Sequence, residues 1–296
     1  MNNHSNTKNN MHRLTVTLML LFITFALHSQ RKEKYPRAEI KVEYNYYNHF
    51  LRGSDGVVER NIPFVLLVNR NQSKFYYPST EFKDSLHSTP AGRAKARQMF
   101  SAAAAAYIEN KDRSAMDGVV YRTRLYVTKD FAKSASTTYD KAGMGRYGFY
   151  EEPFSEIDWV ISADSTKMIL DYSCIMAKAD YHGREWSVWF TPEIPIQDGP
   201  WKLCGLPGLI MEATETSGQH GFTATGIETS TQTIYPLFSS EYEKMNRLDM
   251  LRAERHYQEN SRAMFKAATG YDLGGGTDKP ATEEGRKFDF LETDYH

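Results

Sequence analysis

Two alternating runs, Cys174–Tyr181 and Arg184–Thr191, meet at His182-Gly183, and this arrangement leaves the chain few options. A two-residue connection of this kind, with Gly supplying positive φ, closes an antiparallel hairpin. Pairing Tyr181 with Arg184 sets Ala179 against Trp186, Ala177 against Val188 and Ile175 against Phe190. Small side chains then face large ones on one side, as a filled interior requires. The opposite side carries Asp180 with Glu185, Lys178 with Ser187, Met176 with Trp189 and Cys174 with Thr191. A slip of one residue would turn the apolar set outward, so the register is strongly specified.

The strand leaves through Thr191-Pro192-Glu193-Ile194-Pro195 and then meets two Pro/Gly corners. The first is Asp198-Gly199-Pro200. The second is Gly205-Leu206-Pro207-Gly208, with Trp201, Leu203, Leu206, Leu209 and Ile210 between and beside them. Pro fixes φ, the residue before it is pushed to extended backbone, and Gly takes conformations closed to other residues. The expectation is a stiff apolar loop feeding a strand at Leu209–Glu215. It either plugs one end of a sheet or lines the mouth of a pocket for an apolar ligand.

The flanking sequence is mostly strand-like. Ala38–His49 alternates, Asn61–Val68 and Ser73–Tyr77 flank the turn Asn69-Arg70-Asn71-Gln72, and Val119–Thr128 alternates again. Residues 129–153, interrupted by Gly143, Gly145 and Gly148, read as a loop with weak strand content. Ile157–Ser162 and Lys167–Leu170 are strand-like, and Leu209–Glu215 with Phe222–Glu228 forms another hairpin. Two segments break this rhythm. Ala91–Asp112 is Ala-rich and Pro-free, which predicts a helix with its Ala side against the sheet. Ser240–Ala268 predicts a second, amphipathic helix ending at Gly270. The fold class expected is therefore α+β: a predominantly antiparallel sheet curved as an open or partial barrel, with one inserted helix and a C-terminal helix. Residues 271–287, with three consecutive glycines, read as a flexible segment, and Phe288–Thr293 as a short final strand.

The first thirty residues carry His12-Arg13, an apolar run from Leu14 to Leu27 and small polar residues after it. This pattern predicts a secretory signal peptide over 1–30 and one exported domain over 31–296. It implies a periplasmic or outer-membrane-associated location, with no stable membrane span in the mature chain. Removing the leader leaves a net charge of about −3, which gives no electrostatic basis for nucleic-acid binding. Cys174 and Cys204 are the only cysteines. An even count in an oxidising compartment predicts a disulfide between them, contributing roughly 3.5–4 kcal/mol by loop closure.

The block Gly199-Pro200-Trp201-Lys202-Leu203-Cys204-Gly205-Leu206-Pro207-Gly208-Leu209-Ile210 ends in the unaltered hexapeptide GLPGLI. Together with the export signal and the hairpin Tyr172–Phe190, it resembles the GLPGLI family of exported Bacteroidetes proteins over about residues 36–295. The resemblance implies an exported, β-rich protein without agreed catalytic residues, so no catalytic, cofactor or metal position is carried over.

The residues themselves supply no alternative chemistry. No nucleophile elbow, zinc-helix motif, phosphate loop or dinucleotide fingerprint is present. His182 and His220 fall in predicted turns. Glu151-Glu152, Glu156 and Asp158 cluster beside Trp159 and read first as a solvated loop, second as a carboxylate pair. Arg122 and Arg124 share a strand face and fit either an anion or acidic cross-strand partners. The expected function is a binding or accessory protein of the cell envelope that holds an apolar ligand or a partner segment. The alternatives are a hydrolase whose site spacing does not reveal, or a structural partner of an outer-membrane receptor.

Overall fold

The computed structural model describes residues 35–51, 57–110, 113–154, 157–238, 241–270 and 289–296. The predicted signal peptide and the predicted flexible segment 271–287 lie outside them. Twelve strands form one open sheet: β1 Ile40–Leu51, β2 Val57–Val68, β3 Gln72–Tyr76, β4 Tyr126–Asp130, β5 Ala135–Lys141 and β6 Tyr147–Pro153 in the first half. The second half holds β7 Val160–Ile169, β8 Tyr172–Tyr181, β9 Arg184–Thr191, β10 Leu209–Glu215 and β11 His220–Thr229, with a three-residue β12 at Tyr242–Lys244. The spatial order is β12-β6-β5-β4-β3-β2-β1-β11-β10-β9-β8-β7. Two meanders therefore join where β1 pairs with β11, and all pairs are antiparallel except β12 with β6.

The β8–β9 register is the one expected, from Tyr181 with Arg184 to Ile175 with Phe190. At its turn His182 and Gly183 both take positive φ, +52° and +79°. The Asn69–Gln72 turn also forms, with Asn69 Oδ1 accepting from the backbone N–H groups of Asn71 and Gln72. On β1 and β2, Val42, Tyr44, Tyr46, Ile62, Phe64, Leu66 and Val68 turn to the same core. That core continues across β3, β4, β8, β9, β10 and β11, so the sheet bends around it. A smaller core on the other face gathers Val65, Leu67, Tyr76 and Tyr126 under Ile234 and Tyr242.

Several boundaries differ from expectation. The run 129–153 is two full strands, β5 and β6; its glycines sit at the turn and within β6 rather than preventing pairing. Conversely, Val119–Leu125 is not strand, and only Tyr126 onwards joins the sheet. The two runs around Ala163–Thr166 are one strand, β7, with a register shift between Ser162 and Thr166 absorbing the extra residues. The segment 289–296 forms no strand.

Four helical segments occur among the described residues: α1 Pro78–His87, α2 Pro90–Asn110, a 3-10 turn Arg113–Met116, and α3 Arg247–Thr269. Pro78 ends β3 and starts α1, a position where its missing N–H costs nothing. The inserted helix α2 does not lie against the sheet as expected. None of its described residues is buried, Phe100 and Ile108 are exposed, and it packs on α1 and the 3-10 turn. Its Ala content favours helix without supplying an apolar face to bury. The terminal helix α3 is capped by the Asn246 side chain, which accepts from the N–H groups of Leu248 and Asp249, and it ends at Gly270 in the left-handed conformation. Among the described residues no helix is long and apolar enough to cross a membrane.

Candidate functional site

The connection between β9 and β10 turns inward. Trp201, Leu203 and Leu206 are fully buried in the main core, beside Trp186, whose ring lies 5.6 Å from that of Trp201. Of the motif positions, Gly199, Pro200, Trp201, Leu206, Gly208, Leu209 and Ile210 are buried, whereas Gly205 and Pro207 face solvent. The loop folds on itself through backbone bonds, Leu203 to Pro200 at 3.1 Å, Gly205 to Gln197 at 3.1 Å and Ile210 to Asp198 at 3.0 Å. Gly208 is required by proximity: a Cβ there would stand 2.1 Å from the carbonyl oxygen of Thr191. Trp201 takes φ +54°, an unusual conformation for a bulky residue, and is held there by its complete burial.

No disulfide staples this loop. Cys174 and Cys204 are free, buried cysteines, so the expected bridge is not formed. Cys174 Sγ points instead to the carbonyl of Tyr172, and the Cys204 carbonyl accepts from Trp159 Nε1 at 2.9 Å. Burial pushes the Cys174 thiol up to about 11 and also raises that of Cys204, which keeps both in the less reactive thiol form. The pinning role falls to a buried ion pair, Lys129 with Asp198. Lys129 Nζ also donates to the carbonyls of Gly199 at 3.1 Å and Leu203 at 3.2 Å, tying β4 to the first corner and to the stretch that follows it. Tyr44 adds a 2.6 Å hydrogen bond to the carbonyl of Ile210.

Lys202, the polar member of the block, carries the second set of contacts. Its buried Nζ lies 2.5 Å from Glu152 Oε1 and 2.6 Å from Glu292 Oε1, and donates to Tyr150 Oη at 2.9 Å. Arg247 from α3 meets Glu292 at 2.5 Å and also pairs with Asp294. His182 Nδ1 is 3.2 Å from Asp294 Oδ2 and 2.9 Å from an Arg247 nitrogen, donating to the first when protonated and accepting from the second when not. Burial alone would push Glu292 up, but Lys202, His182 and Arg247 outweigh it and hold its carboxyl down to about 2. Glu152 is likewise held below its ordinary value by His182 and Lys202 against the cost of burial. His182, Glu292 and Asp294 stand close enough to share a cation. Arg247 and Lys202 already supply the positive charge there, so the arrangement is a charge lock joining β6, the β8–β9 turn, the motif loop and α3.

Among the described residues a cleft opens elsewhere. A cleft of about 630 Å³ is lined by His87, Tyr121, Arg124, Gly145, Tyr147 and Glu241, between the helical insert and the β6 side of the sheet. Arg124 forms its floor. Its guanidinium is 3.5 Å from the Tyr121 ring centroid and 4.2 Å from that of Tyr147, and it donates to Asp84 at 3.2 Å. Asp84 also accepts from Tyr126 at 2.7 Å and Tyr121 at 3.1 Å; burial nonetheless raises its carboxyl. Arg124 therefore takes the acidic-partner alternative, though from α1 and not from a neighbouring strand. Arg122 pairs with Asp117 at 3.2 Å. Of the acidic group near Trp159, Glu152 is drawn into the lock, Glu151 pairs with Lys244 at 2.5 Å, Asp158 is exposed and Glu156 is outside the described residues.

Lys129, Asp198, Lys202, Arg247 and Glu292 were not singled out from sequence as site residues. The signal available was a lysine and an aspartate inside an otherwise apolar block, which a buried loop tolerates only with partners.

These features define an open-sheet domain plugged by its own β9–β10 loop. A family model described as a protein of unknown function (Porph_ging) matches residues 182–212, from the β8–β9 turn through the plug into β10. No curated protein matches. Two crystal structures of PNGF-II, in space groups C2 and P21, are similar at a TM-score of 0.44, with 13% and 14% identity over 72% of this chain. They are matched over 32% and 33% of their own length, so this chain spans about a third of those proteins.

Proposed function

We propose that this chain is an exported accessory module of the cell envelope that binds a partner at its surface and not an apolar ligand within its sheet. The observation carrying this is the plug. Trp201, Leu203 and Leu206 occupy the space a hydrophobic ligand would need, each at most 1% exposed. A cleft is open at Arg124 among the described residues, and its polar and tyrosine-flanked lining suits a polar partner segment better than a lipid chain. The unaltered GLPGLI hexapeptide supports a place in the GLPGLI family, and the leader sequence supports export to the periplasm or outer membrane.

The test is native mass spectrometry of full-length protein purified gently from the envelope, beside a Tyr147→Ala variant with unchanged circular dichroism. The expected result is a co-purifying peptide, glycan or protein on the wild type that the variant loses. A lipid retained inside the folded protein, or a partner held equally by both forms, would overturn the proposal.

A further inference from the structure

The inserted helix α2 runs for 21 residues over the surface without burying any of its described side chains. It is nonetheless firmly seated. Gly92 lies against the α1 backbone, where a Cβ would stand 2.1 Å from the Leu86 carbonyl oxygen. Gly92, Ala96, Met99, Ala103 and Ala106 recur at helical spacing and are all half-buried, so they form the seated flank. Each is followed by a residue of a second flank, about 100° further round: Arg93, Arg97, Phe100, Ala104 and Tyr107. Ile108 joins that second flank as the i+4 neighbour of Ala104.

The second flank shows large apolar groups to solvent. Phe100 is 53% exposed, Tyr107 38% and Ile108 66%. Single apolar residues are ordinary on a surface, but three on one stripe of one helix mark a contact face. Charge decides what that face meets. From Pro90 to Ile108 the helix carries Arg93, Lys95 and Arg97 and no acid; its first carboxylate is Glu109, in the last turn. Arg93 and Arg97 are exposed and precede the apolar residues on the same stripe. Arg93 donates to the His87 carbonyl at 3.0 Å, a neutral partner that leaves its charge uncancelled. An apolar groove on another protein would account for Phe100 and Ile108 but not for cations without acids. The edge of an anionic bilayer accounts for both: its phosphates take the guanidiniums, and the boundary beneath them takes Phe, Tyr and Ile side chains.

We propose that α2 is a membrane-docking helix, which lays this flank on an anionic phospholipid surface without crossing it. The whole chain carries a formal charge of only −1, so the attraction acts through this helix and orients the molecule on the surface.

Protein purified from the envelope after processing of its leader is sedimented with vesicles. Equimolar phosphatidylglycerol and phosphatidylcholine should bring it down, phosphatidylcholine alone should not, and added salt should release it. Arg97→Gln should weaken binding about fivefold, and Phe100→Ser combined with Ile108→Ser about tenfold or more. These positions are exposed, so circular dichroism should stay unchanged in the variants. Tyr147→Ala, which alters the Arg124 cleft, should bind vesicles like the wild type, so the two sites can fail separately. No binding to the anionic vesicles, equal binding to both kinds, or full binding by the α2 variants overturns the proposal. So does a loss confined to Tyr147→Ala, which would move the lipid contact to the cleft.

Discussion

Lys202 Nζ and Glu292 Oε1 lie 2.6 Å apart in the interior, and the contact joins the motif loop to the 289–296 segment. Lys202 reaches this place because the Trp201 backbone takes positive φ and turns the next side chain from the apolar plug toward β6. Glu292 is only 4% exposed, so its charge depends on the cations around it. Replacing one partner leaves the others buried without compensation, which costs far more than the net worth of the pair. Lys202→Met is expected to destabilise the fold by about 3–5 kcal/mol, measured by urea unfolding. Adding Glu292→Gln should recover part of that loss, because the orphaned charge is removed. If the double variant is as unstable as the sum of the two single ones, the pair is not coupled.

Gly208 makes a sharper test of the plug. Its Cα packs against the backbone of Thr191 and Pro192, where nothing can move aside cheaply. Gly208→Ala should cost at least about 2 kcal/mol, as overpacking against rigid backbone does. The neighbouring Gly205 is exposed and open, with its φ of +90° as the only obstacle. Gly205→Ala should therefore cost less, roughly 1 kcal/mol, in the same unfolding measurement. Equal losses at the two positions would mean that close approach is not what Gly208 provides.

How far the sequence discloses this molecule depends on how local the deciding interaction is. The β8–β9 register was readable because small and large residues alternate in step on both runs around Gly183. The plug was readable as a stiff corner because Pro and Gly act on their own backbone. β5 and β6 were not, since Gly145 and Gly148 break the alternation and the pairing is settled by Tyr139 against Phe149 across the sheet. α2 carries strong helix formers but no buried face, and propensity alone does not say where a helix rests. The charge lock was illegible for a different reason. Glu152, His182, Lys202, Arg247 and Glu292 sit on five separate segments, and only the folded sheet brings them together.

The two thiols supply another check on the interior. The bridge expected from their even count is absent, and burial raises both thiols, Cys174 to about 11. A thiol reagent should therefore leave both cysteines unmodified in the folded protein at pH 7 and modify both after denaturation. Adding reductant should leave the melting temperature unchanged. A reductant-induced fall of several degrees would mean that the staple forms after all.

His220 gives the fold a defined response to acid. Its Nε2 donates to the Asp289 carbonyl, and in the neutral ring Nδ1 then accepts from Tyr46 Oη at 2.8 Å. Burial first, then the nearby Arg184, lowers its value to about 4 from 6.5. Between those limits the unfolded chain binds a proton that the folded chain refuses. Stability from this residue is therefore complete above about pH 6.5 and is lost as pH falls through about 4, amounting to roughly 3 kcal/mol. Asp140 works in the opposite sense, because burial raises it to about 6 and favours the protonated form in the fold. Glu292, held down to about 2, loses its contribution only below 4.5. The His220 share is isolated by comparing wild type with His220→Gln, which keeps a donor near the Asp289 carbonyl but does not titrate. Urea unfolding at half-unit steps should show a shallower rise in stability between pH 4 and 6.5 in the variant, with the two curves parallel above 7. Identical slopes in that window would mean that His220 already takes up its proton within the folded chain.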